Sequence, residues 1–271
     1  MTEKIQVAWS SERHASASDG LGKFVGLAWG TTWLLSAPLA LAWSRGLPAS
    51  GYMFALAGLS AFGPTFAAFV VARRQRRLRE VFCRFRADPF WVVLALATPL
   101  LLHLVARLLE AALGGRVAQW FWLPQTSAQV AAVVLFSVGE EFGWRGFAHP
   151  LLVQRHGPVL GPLITGVIWS IWHLAYAVTP EGTLSLSSFA VMMLEITLWA
   201  VVVAWLYERG KRGMSVAFAV HVGAHLDNSA RIPAEDWRLR LLTIIVLAIA
   251  AVFAARALAA NGPAKGRAAG P

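Results

Sequence analysis

Cysteine is almost absent: Cys83 stands alone in 271 residues. That excludes an intramolecular disulfide and any cysteine-built zinc site, and it reads as a loop or interfacial thiol. Charge is scarce too, at 14% of the chain, against roughly a quarter in an ordinary soluble domain. Acids are the rarer kind, with 14 Asp and Glu against 24 Lys and Arg, for a formal net charge of +10. Internal repeats are lacking, so an inverted-repeat transporter has no support from the sequence. No cleavable leader precedes the first apolar block, which is itself long enough to span and is expected to stay in the mature protein.

What is abundant is apolar surface. Hydrophobic residues make up 57% of the chain and the mean hydropathy is +0.58. The apolar residues come in blocks of about twenty, long enough to cross a hydrocarbon core of about 30 Å. The expected fold class is therefore all-α: a polytopic membrane protein of about eight transmembrane helices enclosing a polar intramembrane cavity. The spans fall near 22–43, 51–72, 90–112, 127–148, 158–178, 186–207, 213–228 and 239–259. Residues 1–20 are polar and read as a disordered N-terminal tail, 21–260 as a single transmembrane domain, and 261–271, rich in Gly, Ala and Pro, as a disordered C-terminal tail.

The cations sit between the apolar blocks, which argues against nucleic-acid binding and for membrane topology. One loop holds Arg73, Arg74, Arg76, Arg77, Arg79, Arg84 and Arg86, and the loop after the sixth block adds Arg209, Lys211 and Arg212. Loops of the other set carry Arg45, Arg116, and then Arg231 and Arg238 offset by Glu235 and Asp236. By the positive-inside rule both termini and the arginine-rich loop face the cytoplasm, in the plasma (cytoplasmic) membrane. The loop reads first as a topological anchor and second as a binder of anionic lipid headgroups.

Ionisable groups at bilayer depth cost at least about 2.5–3.5 kcal/mol each on insertion scales, so they are functional candidates. The densest cluster is Gly139-Glu140-Glu141-Phe142-Gly143-Trp144-Arg145-Gly146. On a helix Glu141 and Arg145 share a face, acid before base, the favoured order. Glu140 lies about 100° further round and is left outside that pair. A desolvated carboxyl without a cation partner suits general acid or base work near neutrality. The structural alternative is a salt-bridge network of both glutamates with Arg145.

Two further elements follow. Trp169 and His173, four apart, place an indole and an imidazole on one face of the fifth block. His221 and His225 repeat that spacing in the seventh, which is how a helix offers two metal ligands or two hydrogen-bond donors. Gly223 and Ala224 between them would let a neighbouring helix approach closely. Three histidines and two glutamates are too many polar groups for lipid-facing positions and should line a shared cavity. Glu195 has no partner nearby in sequence. His103, Arg107 and Glu110 form a row near the end of the third block, read as snorkelling or a local pair.

At these residues the chain resembles the CAAX protease and bacteriocin-processing (CPBP, or Abi) family of intramembrane endopeptidases. Its Glu-Glu-x-x-x-Arg motif is matched by Glu140-Glu141 and Arg145, its Phe-x-x-x-His motif by Trp169 and His173, and its His-x-x-x-Asn motif by His221 and His225. Tryptophan thus replaces phenylalanine at 169, and histidine replaces asparagine at 225. Stretches around Phe62–Ala68 and Trp205–Arg209 are similar to the family as well, so the resemblance covers roughly residues 25–230.

The resemblance implies an intramembrane endopeptidase acting on a membrane-anchored protein or peptide within the lipid bilayer. Glu140 and His173 would activate water, His221 and His225 would stabilise the oxyanion, and Glu141, Arg145 and Trp169 would support them. The family has been described both as metal-independent glutamate proteases and as metalloproteases, and both routes stay open. In the second, His173, His221 and His225 would be zinc ligands. A non-catalytic immunity or partner-binding membrane protein of the same kind is the alternative reading.

Overall fold

The computed structural model describes residues 2–121, 123–177, 186–227, 232 and 236–260, with side chains from residue 20 onward. Among them the secondary structure is helical throughout. Helix α1 (Thr2–Ser44) contains the apolar span Gly20–Ser44. The helix begins ahead of that span, at Thr2. The expected C-terminal tail, 261–271, lies outside the described residues.

Helices α2 (Gly51–Ser60) and α3 (Gly63–Arg74) are bent by 46° at their junction. Pro64, in the first turn of α3, has no N–H to extend α2 through the junction but suits a helix start. Thr32 of α1 donates its hydroxyl to the carbonyl of Ser60 at 2.8 Å, satisfying one of the acceptors that the end of α2 leaves open. A short α4 (Leu78–Phe82) lies in the arginine-rich segment. Helix α5 (Pro89–Ala112) starts at an Asp88 cap that accepts the Phe90 N–H at 2.9 Å. Helix α6 (Ser127–Glu141) starts with a reciprocal Thr126–Gln129 capping box.

Directly after Glu141 the helix widens into a π-helical turn over Phe142–Ala148, then continues as α7 (His149–Trp172) and a 3-10 turn (His173–Tyr176). Gly157 interrupts α7 with φ 86° and ψ 174°, a conformation essentially reserved for glycine. There the chain folds back. A Cβ on Gly161 would sit 2.7 Å from Val153 N, and the Trp144 and Trp172 rings meet edge to face at 6.0 Å. Helices α8 (Leu186–Arg209), α9 (Met214–Leu226) and α10 (Trp237–Ala260) complete the bundle.

Among the described residues, five helices are long and apolar enough to cross a membrane, or six if the bent α2–α3 pair is one span. Length and apolarity alone do not reach the expected eight, for two reasons. The 50-residue run Ser127–Tyr176 counts once although it folds back at Gly157, and α9 has only 13 residues. Large apolar side chains such as Leu34, Val93, Ile249 and Phe253 face outward, as lipid contact requires. The protein is a helical, polytopic integral membrane protein.

The two largest of four apolar clusters among the described residues form most of the interior. One joins α1, α3, the π-helical turn and α7 through Phe24, Ala67, Val71, Trp144, Phe147 and Trp172. The other joins α5, α8, α9 and α10 through Ala95, Val202, Leu206, Val220, Leu247 and Ala251. Trp169 belongs to the first and Val220, beside His221, to the second. The buried polar residues gather where they meet.

Candidate active site

Helices α6, α7 and α9 bring the three sequence motifs together. The π-helical turn that carries Arg145 packs onto the α2–α3 junction. A Cβ on Gly143 would lie 2.4 Å from Pro64 Cβ, so only glycine permits this approach. On the opposite side, a Cβ on Gly223 would lie 2.3 Å from the Leu96 carbonyl oxygen. That is the close helix approach expected for Gly223, here between α9 and α5.

Glu141 Oε1 accepts hydrogen bonds from Arg145 Nη1 at 2.8 Å and from His221 Nδ1 at 2.6 Å. All three residues are buried. The i, i+4 pair expected from the sequence is therefore present, and it is extended to α9. Arg145 also lies over the Trp169 ring, its guanidinium carbon 4.3 Å from the centroid, a cation–π contact strengthened by burial.

Glu140 is placed differently. It makes no hydrogen bond to Arg145; its Oε2 accepts the Trp169 indole N–H at 2.8 Å. Its Oε1 lies 3.9 Å from His221 Nε2. The imidazoles of His221 and His225 stack at 4.9 Å with their Nε2 atoms 3.0 Å apart. Because Glu141 takes the Nδ1 proton of a neutral His221, the Nε2 lone pair is turned towards His225, which then supplies the hydrogen between them.

His173 occupies a neighbouring position. Its Nδ1 lies 2.9 Å from the Trp169 carbonyl oxygen. A carbonyl can only accept, so Nδ1 carries the hydrogen and a neutral His173 has its lone pair on Nε2. Neither a hydrogen bond nor an ion pair joins His173 to Glu140. Trp169 stands between them, holding one through its indole and the other through its backbone.

A cavity of about 220 Å³ opens on this cluster, lined by Glu141, Trp169, His173, His221 and His225. That volume holds several waters. Its far wall includes His103 and Glu195, which the motifs do not contain. Among the described residues, one set of side chains gathers metal-capable atoms closely: Glu140, His221 and His225, all within 4.8 Å of one another. His173, expected in a three-histidine set, is outside it.

The sequence reading missed the supports around the site. Arg107 forms a bidentate pair with Asp227 at 2.6 and 3.0 Å, both side chains buried. It is a cross-helix clamp from α5 to the end of α9, and snorkelling does not describe it. Glu195 lies 3.6 Å from Arg240 of α10, and Glu110 lies 3.7 Å from Arg238. Opposite charges at similar depth were the available signal, but no local spacing links partners 120 residues apart.

The fold and site together define an integral membrane protein with a buried Glu–His cluster beside a cavity large enough for several waters. Residues 122–226 match a family model described as "Type II CAAX prenyl endopeptidase Rce1-like", a range that takes in all three motifs. A protein named CAAX prenyl protease 2, from Methanococcus maripaludis, is 23% identical over 165 residues, which is 55% of this chain and 60% of that protein. The chain thus spans about three fifths of the length of the curated relative it matches. Both findings support membership of the CPBP family.

Proposed function

We propose that the protein is an intramembrane endopeptidase hydrolysing peptide bonds of membrane-associated substrates. The observation that carries this is the convergence of Glu140, His221 and His225 within 4.8 Å, next to a cavity of about 220 Å³. Glu140 is the general base. It lies one residue before the Glu141 that Arg145 holds, yet its own hydrogen bond is to an indole N–H, so its carboxylate is left to accept a proton from water. The hydroxide equivalent attacks the scissile carbonyl carbon, and the Nε2–H of His225, turned from His221 Nε2 to the developing charge, donates to the oxyanion while His221 holds His225 in place, a contribution of about 3–4 kcal/mol for one good donor. Collapse of the tetrahedral adduct breaks the C–N bond, and the proton held by Glu140 passes to the leaving amine. His173, with its lone pair on Nε2, orients the water from the cavity wall.

One carboxylate and two imidazoles are also a donor set that fits zinc, with Glu141 on His221 Nδ1 as the outer carboxylate that orients a ligating histidine. Zinc held by Glu140, His221 and His225 would supply a nucleophilic water near neutral pH. Purified protein reconstituted in liposomes, assayed on a membrane-anchored reporter peptide, tests the reading. Glu140→Gln keeps an oxygen for Trp169 and is expected to lose at least about a thousandfold in kcat, in line with removal of a general base. Wild-type cleavage by Glu140→Gln would refute the assignment.

The arginine-rich end faces the cytoplasm of the plasma membrane in this reading, with both termini on that side. Cys83 lies there, exposed and alone. A membrane-impermeant maleimide is expected to label Cys83 in inside-out vesicles and to leave it unlabelled in intact cells. The reverse pattern would invert the topology.

A further inference from the structure

A second pocket, of about 650 Å³, opens at the arginine-rich end of the bundle, away from the Glu–His cluster. Its wall brings together Arg77 and Arg84 from around α4, His149 from the start of α7, and Arg212 from the turn after α8, with Glu80 and Glu208 beside them. Three guanidinium groups from two chain segments, and an imidazole from a third, thus meet around one concave space.

The two acids do not use up this charge. Arg77 meets Glu80 through Nε at 2.9 Å, and Arg212 meets Glu208 through Nε at 2.8 and 3.0 Å. Bonding through Nε orders each guanidinium and leaves its terminal N–H groups for another acceptor. Arg84 has no carboxylate partner among the described residues. His149 is the second and independent observation. It is 2% exposed, and its Nε2 makes no hydrogen bond, lying 3.5 Å from Glu208 Oε1. A buried ring nitrogen held only by this long contact to a carboxylate, in the wall of a basic pocket, can turn to a ligand oxygen.

We propose that this pocket binds a phosphate group through Arg77, Arg84 and Arg212, with His149 completing the set. Phosphate suits the planar, forked donors of several arginines, and its charge fits the excess cation that Arg84 contributes. Two sources carry that chemistry: the headgroup of an anionic phospholipid and free phosphate from solution. A basic pocket between helices, at the end of a bundle where lipid phosphates lie, is suited to the first. The site is independent of the proposed hydrolysis, since neither Glu140 nor His221 contributes to it.

The test uses the full chain in a phosphate-free maltoside detergent, with native mass spectrometry counting bound ligand. Short-chain phosphatidylglycerol and inorganic phosphate are the two probes. Saturable binding of one phosphatidylglycerol per chain is expected, weakened at least about tenfold in Arg84→Gln/Arg212→Gln and several-fold in Arg84→Gln alone. Arg73→Gln/Arg74→Gln removes the same charge from the same end outside the pocket and should change affinity less than about twofold. Displacement of the lipid by millimolar inorganic phosphate assigns the site to free phosphate; binding of the lipid without displacement assigns it to the headgroup. Equal weakening in the two double variants, or no saturable binding of either probe, would overturn the proposal.

Discussion

Helix α9 takes part in two buried polar clusters, one along its length and one at its end, and they are built on different terms. At the end, Asp227 meets Arg107 of α5 through two short, parallel bonds, opposite charges fully opposed. Further up, His221 meets Glu141 on one side and another imidazole on the other, while Glu140 approaches at 3.9 Å without a cation of its own. The first arrangement fixes a helix. The second leaves a carboxylate and two ring nitrogens in place but underused, beside space for water. Buried charge at bilayer depth has a large desolvation cost in both. What separates them is whether that cost is offset inside the protein or left to be met by water, substrate or metal.

Breaking the matched pair should have the largest effect on folding. Arg107→Met leaves Asp227 as a buried carboxylate without its guanidinium, and a loss of about 3–5 kcal/mol is expected in reversible unfolding from mixed micelles. Arg107→Met/Asp227→Leu removes both charges and should recover most of that loss. If the double variant is as unstable as the single one, charge matching is not what the pair contributes. Glu140→Gln in the same assay should shift stability by less than about 1 kcal/mol, because it removes a charge that has no cation opposite it. A strongly destabilised Glu140→Gln would erase the contrast between the clusters.

Trp169→Phe sharpens the comparison from the reactive side. It keeps an aromatic ring, a smaller one, under Arg145 and deletes the N–H that holds Glu140 Oε2. Hydrogen bonds to charged groups are worth about 1.5–3 kcal/mol. The expected loss in kcat is about tenfold, less than the full value, because the backbone of residue 169 still holds His173. An unchanged kcat would mean that the indole packs against Glu140 without positioning it.

Much of this was legible from helical spacing. Glu141 and Arg145 pair as i, i+4 residues should, and Glu140 is separated from them as the angle between successive residues requires. Long-range partners were not legible. Nothing around Arg107 marks Asp227, and nothing around Glu195 marks Arg240, because depth in a bilayer places charges together without any fixed separation along the chain. The π-helical turn over Phe142–Ala148 was also hidden. It adds a residue to the turn without altering the apolar pattern, and the tight contact of Gly143 with Pro64, which fixes it in place, depends on a segment of chain far removed in sequence. The turn between the fourth and fifth expected spans was placed close to where the chain folds back at Gly157, although helical structure continues through most of the residues that hydropathy assigned to a loop there.

The smallest expected effect is at His225, where this chain departs from the family it resembles. In the geometry here His225 supplies the hydrogen between the two Nε2 atoms at 3.0 Å, a task that an amide N–H can also perform. His225→Asn should therefore keep kcat within about fivefold, with the Asn side chain donating where the imidazole did. An amide is a poor zinc ligand, so the same substitution reports on the other role. If kcat falls by two orders of magnitude and stoichiometric zinc measured in the purified wild type disappears with it, His225 is a ligand and the cluster is a metal site. If activity survives and no zinc is lost, the unmatched carboxylate of Glu140 carries the proton transfer without metal, and the contrast with Arg107 and Asp227 is one between a charge that is paired and a charge that is used.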